Sequence, residues 1–245
     1  MSLTKYYMGS LPNLVALYPS DSKTQTMTAA ELLINSIPSL QTTDNVQHAL
    51  ELMKEFRVTE LPVVANHQAA GLLYEEDVED IDANHSIAPY IRTDAQVQVH
   101  ASDFFLSVLK MMHQRKLSLV PVVKEDGEYL GVITAEDLLY AASHYNSAAE
   151  PGAILILQMA PNNFSISELG RIIESNDARI IHLNTWMDKD NGQLMVAIKI
   201  NKPDLQDILA TLERYEYNVI QYFGENLTEE ELRLNYDHLM NYLNI

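Results

Sequence analysis

The chain has no cysteine, which excludes disulfides, thiolate nucleophiles and thiolate-held zinc or iron–sulfur centres together. Glycine is scarce, with eight residues in 245. No Walker, G-x-G-x-x-G or G-x-S-x-G run occurs, so little in the chain suits a phosphate-wrapping loop or a nucleophile elbow. Basic residues are also few, 16 Lys and Arg against 34 Asp and Glu, for a formal charge of −18. Without a basic cluster such a surface repels polyanions, and neither nucleic acid nor an anionic membrane is an expected partner. No apolar run reaches the roughly 18 residues of a membrane span. The N-terminus lacks the basic start, apolar stretch and cleavage site of a signal peptide, so the expected compartment is the cytoplasm. The eight histidines include no i, i+4 pair and no adjoining carboxylate set, and no metal site is expected.

What is present is an ordinary globular composition, 47% hydrophobic and 20% charged, in a chain long enough for two structural units. An internal repeat organises the first half. Aligning Leu61-Pro62-Val63-Val64 with Val120-Pro121-Val122-Val123 sets an offset of 59 that also pairs Asp44 with Asp103, Leu50 with Leu109 and Met53 with Met112. One inserted residue later, Gly71 pairs with Gly131 and Asp77 with Asp137.

Within each copy the periods alternate. Val46, Ala49, Leu50 and Met53 recur at helical spacing, as do Phe105, Val108, Leu109 and Met112. A short aliphatic strand, a turn, a second strand and another helix follow in each copy, giving the order β-α-β-β-α. Met27 opens a further helical pattern with Ala30, Leu33 and Ile34.

The run Gly131 to Asp137 has two readings. In the first, Thr134 is simply the N-cap of a helix beginning near Ala135, with Glu136 and Asp137 complementing its positive end. In the second, the Asp137 carboxylate also accepts the hydroxyl protons of a ribose.

The strand LPVV with GLLYEED, and VPVV with EDG and GVITAED, resemble tandem CBS repeats over about 105 residues, from 36 to 140. The resemblance implies two clefts between the repeats. One would combine Thr134 and Asp137 with Ile37 and Val58, whose backbone and side chains suit an adenine, and with Arg57 as phosphate partner. The other would combine Asp77 with Gln96 and Leu117. There Tyr74 replaces the threonine and brings a bulky ring to the place of a ribose or phosphate, so this cleft is expected to be weak, altered or empty. The implied ligand is an adenosine compound. AMP is preferred over ADP and ATP because cations are few, and S-adenosylmethionine, which carries its own, is a further candidate.

After Glu150-Pro151-Gly152 the pattern restarts. Strands are expected over 153–159, 178–187, through the alternating Leu194, Val196, Ile198 and Ile200, and over 218–223. Helices are expected over 165–176 and through Leu205, Ile208, Leu209 and Leu212. The order β-α-β-β-α-β is that of the ferredoxin-like split βαβ fold and resembles an ACT domain, although the loop Ala160 to Phe164 lacks the glycine often placed there for amino-acid binding. Beyond it, Thr228 and Glu231 form a capping box before Leu232, Leu234, Leu239, Tyr242 and Leu243.

The expected layout is therefore an N-terminal extension over 1–26, CBS repeats over 27–83 and 84–149, an ACT-like domain over 150–225 and a terminal helix over 226–245. Two CBS repeats with an ACT-like domain resemble the acetoin-utilisation type of CBS protein. That likeness implies a non-catalytic, homodimeric regulator of an unidentified protein, the alternatives being a ligand-free dimerisation scaffold and an enzyme built on carboxylates such as Glu75, Glu76 and Asp77.

Overall fold

The computed structural model describes residues 26–93 and 97–224. The chain divides into two compact units, the first ending at Leu138 and the second beginning at Leu139.

In the first unit each repeat builds a three-stranded sheet. The first contains β1 (Leu40–Gln41), β2 (Glu60–Ala65) and β3 (Gln68–Tyr74), in the order β1-β2-β3. The second contains β4 (Val99–His100), β5 (Leu119–Val123) and β6 (Tyr129–Thr134), in the order β4-β5-β6. In each, the first pair is parallel and the second antiparallel.

The crossover helices are α2 (Val46–Phe56) and α3 (Phe105–Arg115), each of 11 residues. α2 buries Val46, Ala49 and Met53, and α3 buries Phe105, Val108 and Met112, the same positions in both copies. Leu109, expected in that stripe, is exposed together with Phe104 and Leu106. Both helices stop at a left-handed residue, Arg57 and Lys116, each with φ 55°.

The segments leading into the repeats are exchanged. Met27 O accepts from Phe105 N–H, Ala29 N–H donates to Asp103 O, and Ile34 bridges to Val132, so the segment before the first sheet completes the second. Reciprocally, His85 O accepts from Val46 N–H and Arg92 bridges to Leu72. This exchange cuts the pattern opened by Met27 to one turn, α1 (Ala29–Leu32), because Ile34 is drawn into backbone pairing with Val132.

The repeats differ where they close. The second ends in α4 (Ala135–Tyr145), which runs across the division between the units, whereas the helix expected after Glu75 is a single 3₁₀ turn, Glu75–Asp77. The sequence after Asp77 is rich in Asp and Asn. These residues favour turns over helix interiors, and Asp82 accepts from the N–H of Asn84 in one.

The second unit is a four-stranded antiparallel sheet of β7 (Ala153–Met159), β8 (Ile180–Met187), β9 (Leu194–Ile200) and β10 (Asn218–Phe223), in the order β10-β7-β9-β8. With α5 (Ile166–Glu174) and α6 (Gln206–Arg214), this is the ferredoxin-like βαββαβ order. Leu155 and Leu157 from β7, Val196, Ile198 and Ile200 from β9, Leu169, Ile172 and Ile173 from α5, and Ile208 and Leu212 from α6 form its core. Both helices therefore cover one sheet face. The capping box at Thr228 and the apolar run after it lie outside the described residues.

Candidate functional site

The centre of the first unit lies where β2 and β5 begin. Ser118 Oγ accepts from Thr59 N–H at 3.0 Å, and the Ser118 carbonyl accepts from Ala135 N–H at 2.9 Å. In the mirror relation, the Thr59 carbonyl accepts from Glu75 N–H at 2.8 Å. These bonds bring Val58 and Thr59 into the neighbourhood of Thr134, and Leu117 and Ser118 into that of Tyr74.

Where the first cleft is expected, Thr134 and Asp137 bond reciprocally. Asp137 Oδ2 accepts from the Thr134 hydroxyl at 2.5 Å and from its N–H at 2.9 Å, while Thr134 Oγ1 accepts from Asp137 N–H at 3.2 Å. This is a capping box with aspartate at its third position, and it places the Asp137 carboxylate at the strand end, only 7% exposed. Ile37 and Val58 are both buried. The Val58 N–H is spent on Met53 O, so it does not offer itself to a base edge. Arg57 is exposed at the left-handed end of α2.

At the second cleft the structure opens a cavity of about 550 Å³, lined among others by Thr59, Glu60, Tyr74, Arg92, Arg115 and Lys116. Lys116 is the repeat counterpart of Arg57. Arg92 occupies one wall. Its guanidinium lies 4.2 Å from the centre of the Tyr74 ring and bonds Asp77 Oδ1 at 2.6 Å and Glu76 Oε1 at 2.7 Å. Those bonds, Asp77's the stronger, hold the Arg92 pKa above its ordinary value. The bulky ring expected at Tyr74 is thus there, with a cation stacked on it. Leu117 is buried and its N–H donates to Met112 O. Gln96 lies outside the described residues.

Sequence reasoning missed Glu60. It is 1% exposed in an otherwise apolar strand. Its Oε1 accepts from Ser118 N–H at 2.6 Å, Ser118 Oγ at 3.0 Å and Leu119 N–H at 2.7 Å, and its Oε2 from the Thr59 hydroxyl at 2.6 Å. A buried carboxylate is tolerated only with such donors, and here three of the four come from the other repeat. The available signal was the broken equivalence, since Glu60 stands opposite Leu119 at the repeat offset.

Residues 29–83 and 91–144 match the family model of the CBS domain. The first unit is a tandem CBS pair. Inosine-5′-monophosphate dehydrogenase of Korarchaeum cryptofilum is 28% identical over 116 residues, 47% of this chain and 24% of the enzyme. The chain thus spans about a quarter of that relative's length. Among solved structures, a CBS domain pair/ACT domain protein of Thermotoga maritima is 22% identical, with a TM-score of 0.45, covering 48% of this chain and 98% of that one. CBSX2 in complex with AMP is 20% identical, with a TM-score of 0.41, covering 48% and 97%. Among the described residues no helix of the protein is long and apolar enough to cross a membrane, and no group of three or more His, Asp or Glu side chains could hold a metal ion.

Proposed function

We propose that the CBS pair is a non-catalytic, ligand-sensing module whose Thr134–Asp137 cleft receives an adenosine-containing ligand. The observation that carries this reading is the inequality of the two clefts at symmetry-related positions. Where the second cleft has Arg92 bridged to Leu72, the first has Ile34 bridged to Val132. Where the second has Tyr74, the first has Thr134. The second cleft carries its own planar cation on its own carboxylate, whereas the first has an aliphatic residue and a small hydroxyl at the same places. Ile37 and Val58 supply apolar walls for adenine, Asp137 accepts ribose hydroxyl protons, and Arg57 meets a phosphate. A single cation suits AMP better than ADP or ATP, and S-adenosylmethionine needs none.

Regulation then requires a ligand that discriminates two states of the protein. The exposed Phe104, which precedes α3, and Leu106 and Leu109 within it support a homodimer, and the second unit has the topology of an ACT-like domain, in which a cavity of about 440 Å³ beside Asn163, Glu168 and Tyr217 suits a small polar molecule. A scaffold reading is favoured by one fact, that Thr134 and Asp137 satisfy each other as a helix cap.

Thermal unfolding of ligand-free protein with AMP, ADP, ATP, S-adenosylmethionine and amino acids separates the readings. A ligand at 100 times its Kd adds about 2.7 kcal/mol of stability. Stabilisation by AMP supports the sensing role, no shift with any adenosine compound leaves the scaffold, and turnover of a nucleotide establishes an enzyme.

A further inference from the structure

The cavity of about 440 Å³ in the second unit falls within the range of roughly 300–1,000 Å³ usual for small-molecule sites. It lies where β7 ends, α5 begins, α6 ends and β10 begins. Its lining among the described residues brings together two carboxylates, Glu168 and Glu216, two phenol rings, Tyr215 and Tyr217, and side-chain amides such as Asn163, and it includes no Lys, Arg or His.

Both carboxylates keep acceptor capacity. The Tyr217 hydroxyl donates to Glu168 Oε2 at 2.8 Å, which fixes that side chain and leaves Oε1 with no donor among the described residues. Glu216 is exposed, with φ 62°, just past the end of α6, and no described residue donates to its carboxylate.

Donors for an anion, by contrast, are largely spent. The backbone N–H of Asn163 goes to Ala160 O, that of Tyr215 to Thr211 O, that of Glu216 to Glu213 O and that of Tyr217 to Leu212 O. The Glu168 N–H goes to Ser165 Oγ at 3.3 Å. Glu168 stands in the first turn of α5, so its own charge already answers the positive end of that helix, while residues 215–217 follow the negative end of α6. Arg171 and Arg214 lie 5.4 and 6.0 Å from the centre of the Tyr215 ring, but neither lines the cavity.

We infer that this cavity is a site for a small organic amine, protonated at neutral pH and carrying no carboxylate. An ammonium group finds charged acceptors in Glu168 and Glu216. The carboxylate of an amino acid would meet the same two charges with no cation in the lining to offset them. The inference rests on the reading of this cavity as a binding site and is independent of the Thr134–Asp137 cleft.

Titration calorimetry of putrescine into the ligand-free full chain, in physiological salt, is the test. A saturable event at one site per chain is expected, with none from butanediol, its neutral analogue, and none from leucine. Glu168→Gln, which keeps an acceptor for the Tyr217 hydroxyl, and Glu216→Gln, at an exposed position, should each weaken binding about tenfold through loss of one charged hydrogen bond, with dichroism confirming the fold. Equal affinity in parent and both variants overturns the inference, as does an equal response to magnesium chloride. Leucine binding without putrescine binding sinks the amine class and leaves the cavity a site, whereas binding of neither sinks both. AMP titrated into the same protein reads the first unit separately.

Discussion

Arg92 and Asp77 form an ion pair at 2.6 Å inside the CBS pair, between the residue that completes the first sheet's edge and the carboxylate at that repeat's closing turn. The guanidinium supplies planar stacking on Tyr74 and donors to Asp77, the two things a nucleoside would otherwise bring. These contacts narrow the cleft from within, beside a cavity of about 550 Å³. Removing the plug should unmask it: Arg92→Ala is expected to gain a second, weaker adenosyl-binding event beside the first, read as a change from one to two sites per chain in titration calorimetry. A stoichiometry unchanged from the parent would show that Tyr74 alone closes the cleft.

Glu60 ties the repeats together, and its loss should be felt as stability. Glu60→Ala leaves the N–H groups of Ser118 and Leu119 without their acceptor, and an orphaned buried donor costs about 1–3 kcal/mol. Glu60→Gln retains one acceptor oxygen and is expected to lose less. Urea unfolding of the two variants beside the parent gives the comparison, and equal midpoints for all three would deny the staple its role.

Much of this architecture was legible in the chain. The offset of 59 between LPVV and VPVV, and the spacing of Val46, Ala49 and Met53, rest on local periodicity, which side-chain burial imposes directly. The βαββαβ order was legible for the same reason. Glu60 was not, because a carboxylate in an apolar strand makes sense only once Ser118 and Leu119 arrive from 58 and 59 residues away. Arg92 was visible as a cation, but its place on Tyr74 depends on the exchange of lead-in segments, which leaves no periodic trace. The first repeat's closing helix was overestimated because Glu75, Glu76 and Asp77 look like a helix start, while the Asp and Asn residues after them end it. For Thr134 and Asp137 the sequence supports both a cap and a ligand contact, and the structure shows the cap.

Gly131 lies against the lead-in segment of the other repeat. A Cβ there would come 2.6 Å from the Ile34 carbonyl, a backbone atom that cannot move without breaking its strand pairing. Gly131→Ala should therefore cost about 1–3 kcal/mol, as overpacking does, and weaken AMP binding by displacing the segment that leads to Ile37. An unchanged unfolding midpoint would contradict the close approach.

The second unit carries a pH signature. Burial, and secondly the bond to Glu168, push the Tyr217 hydroxyl up to about 12. A raised folded-state pKa means that the folded protein holds this proton more tightly than the unfolded chain. The associated stability is complete below the unfolded value of about 10 and is lost as pH climbs towards 12. Tyr129, also raised to about 12 by burial, contributes in the same window, so the test is a difference: Tyr217→Phe should flatten the fall in stability over that range. Identical profiles for variant and parent would refute it.

In the proposed sensing role, Asp137 holds the ligand. Asp137→Ala also removes half of a helix cap, a loss of about 1 kcal/mol that leaves a folded protein, as dichroism can verify. Titration calorimetry of AMP into the ligand-free parent and this variant is the decisive comparison. One binding event per chain is expected in the parent and none in Asp137→Ala, and equal affinity in the two would rule out this role for Asp137.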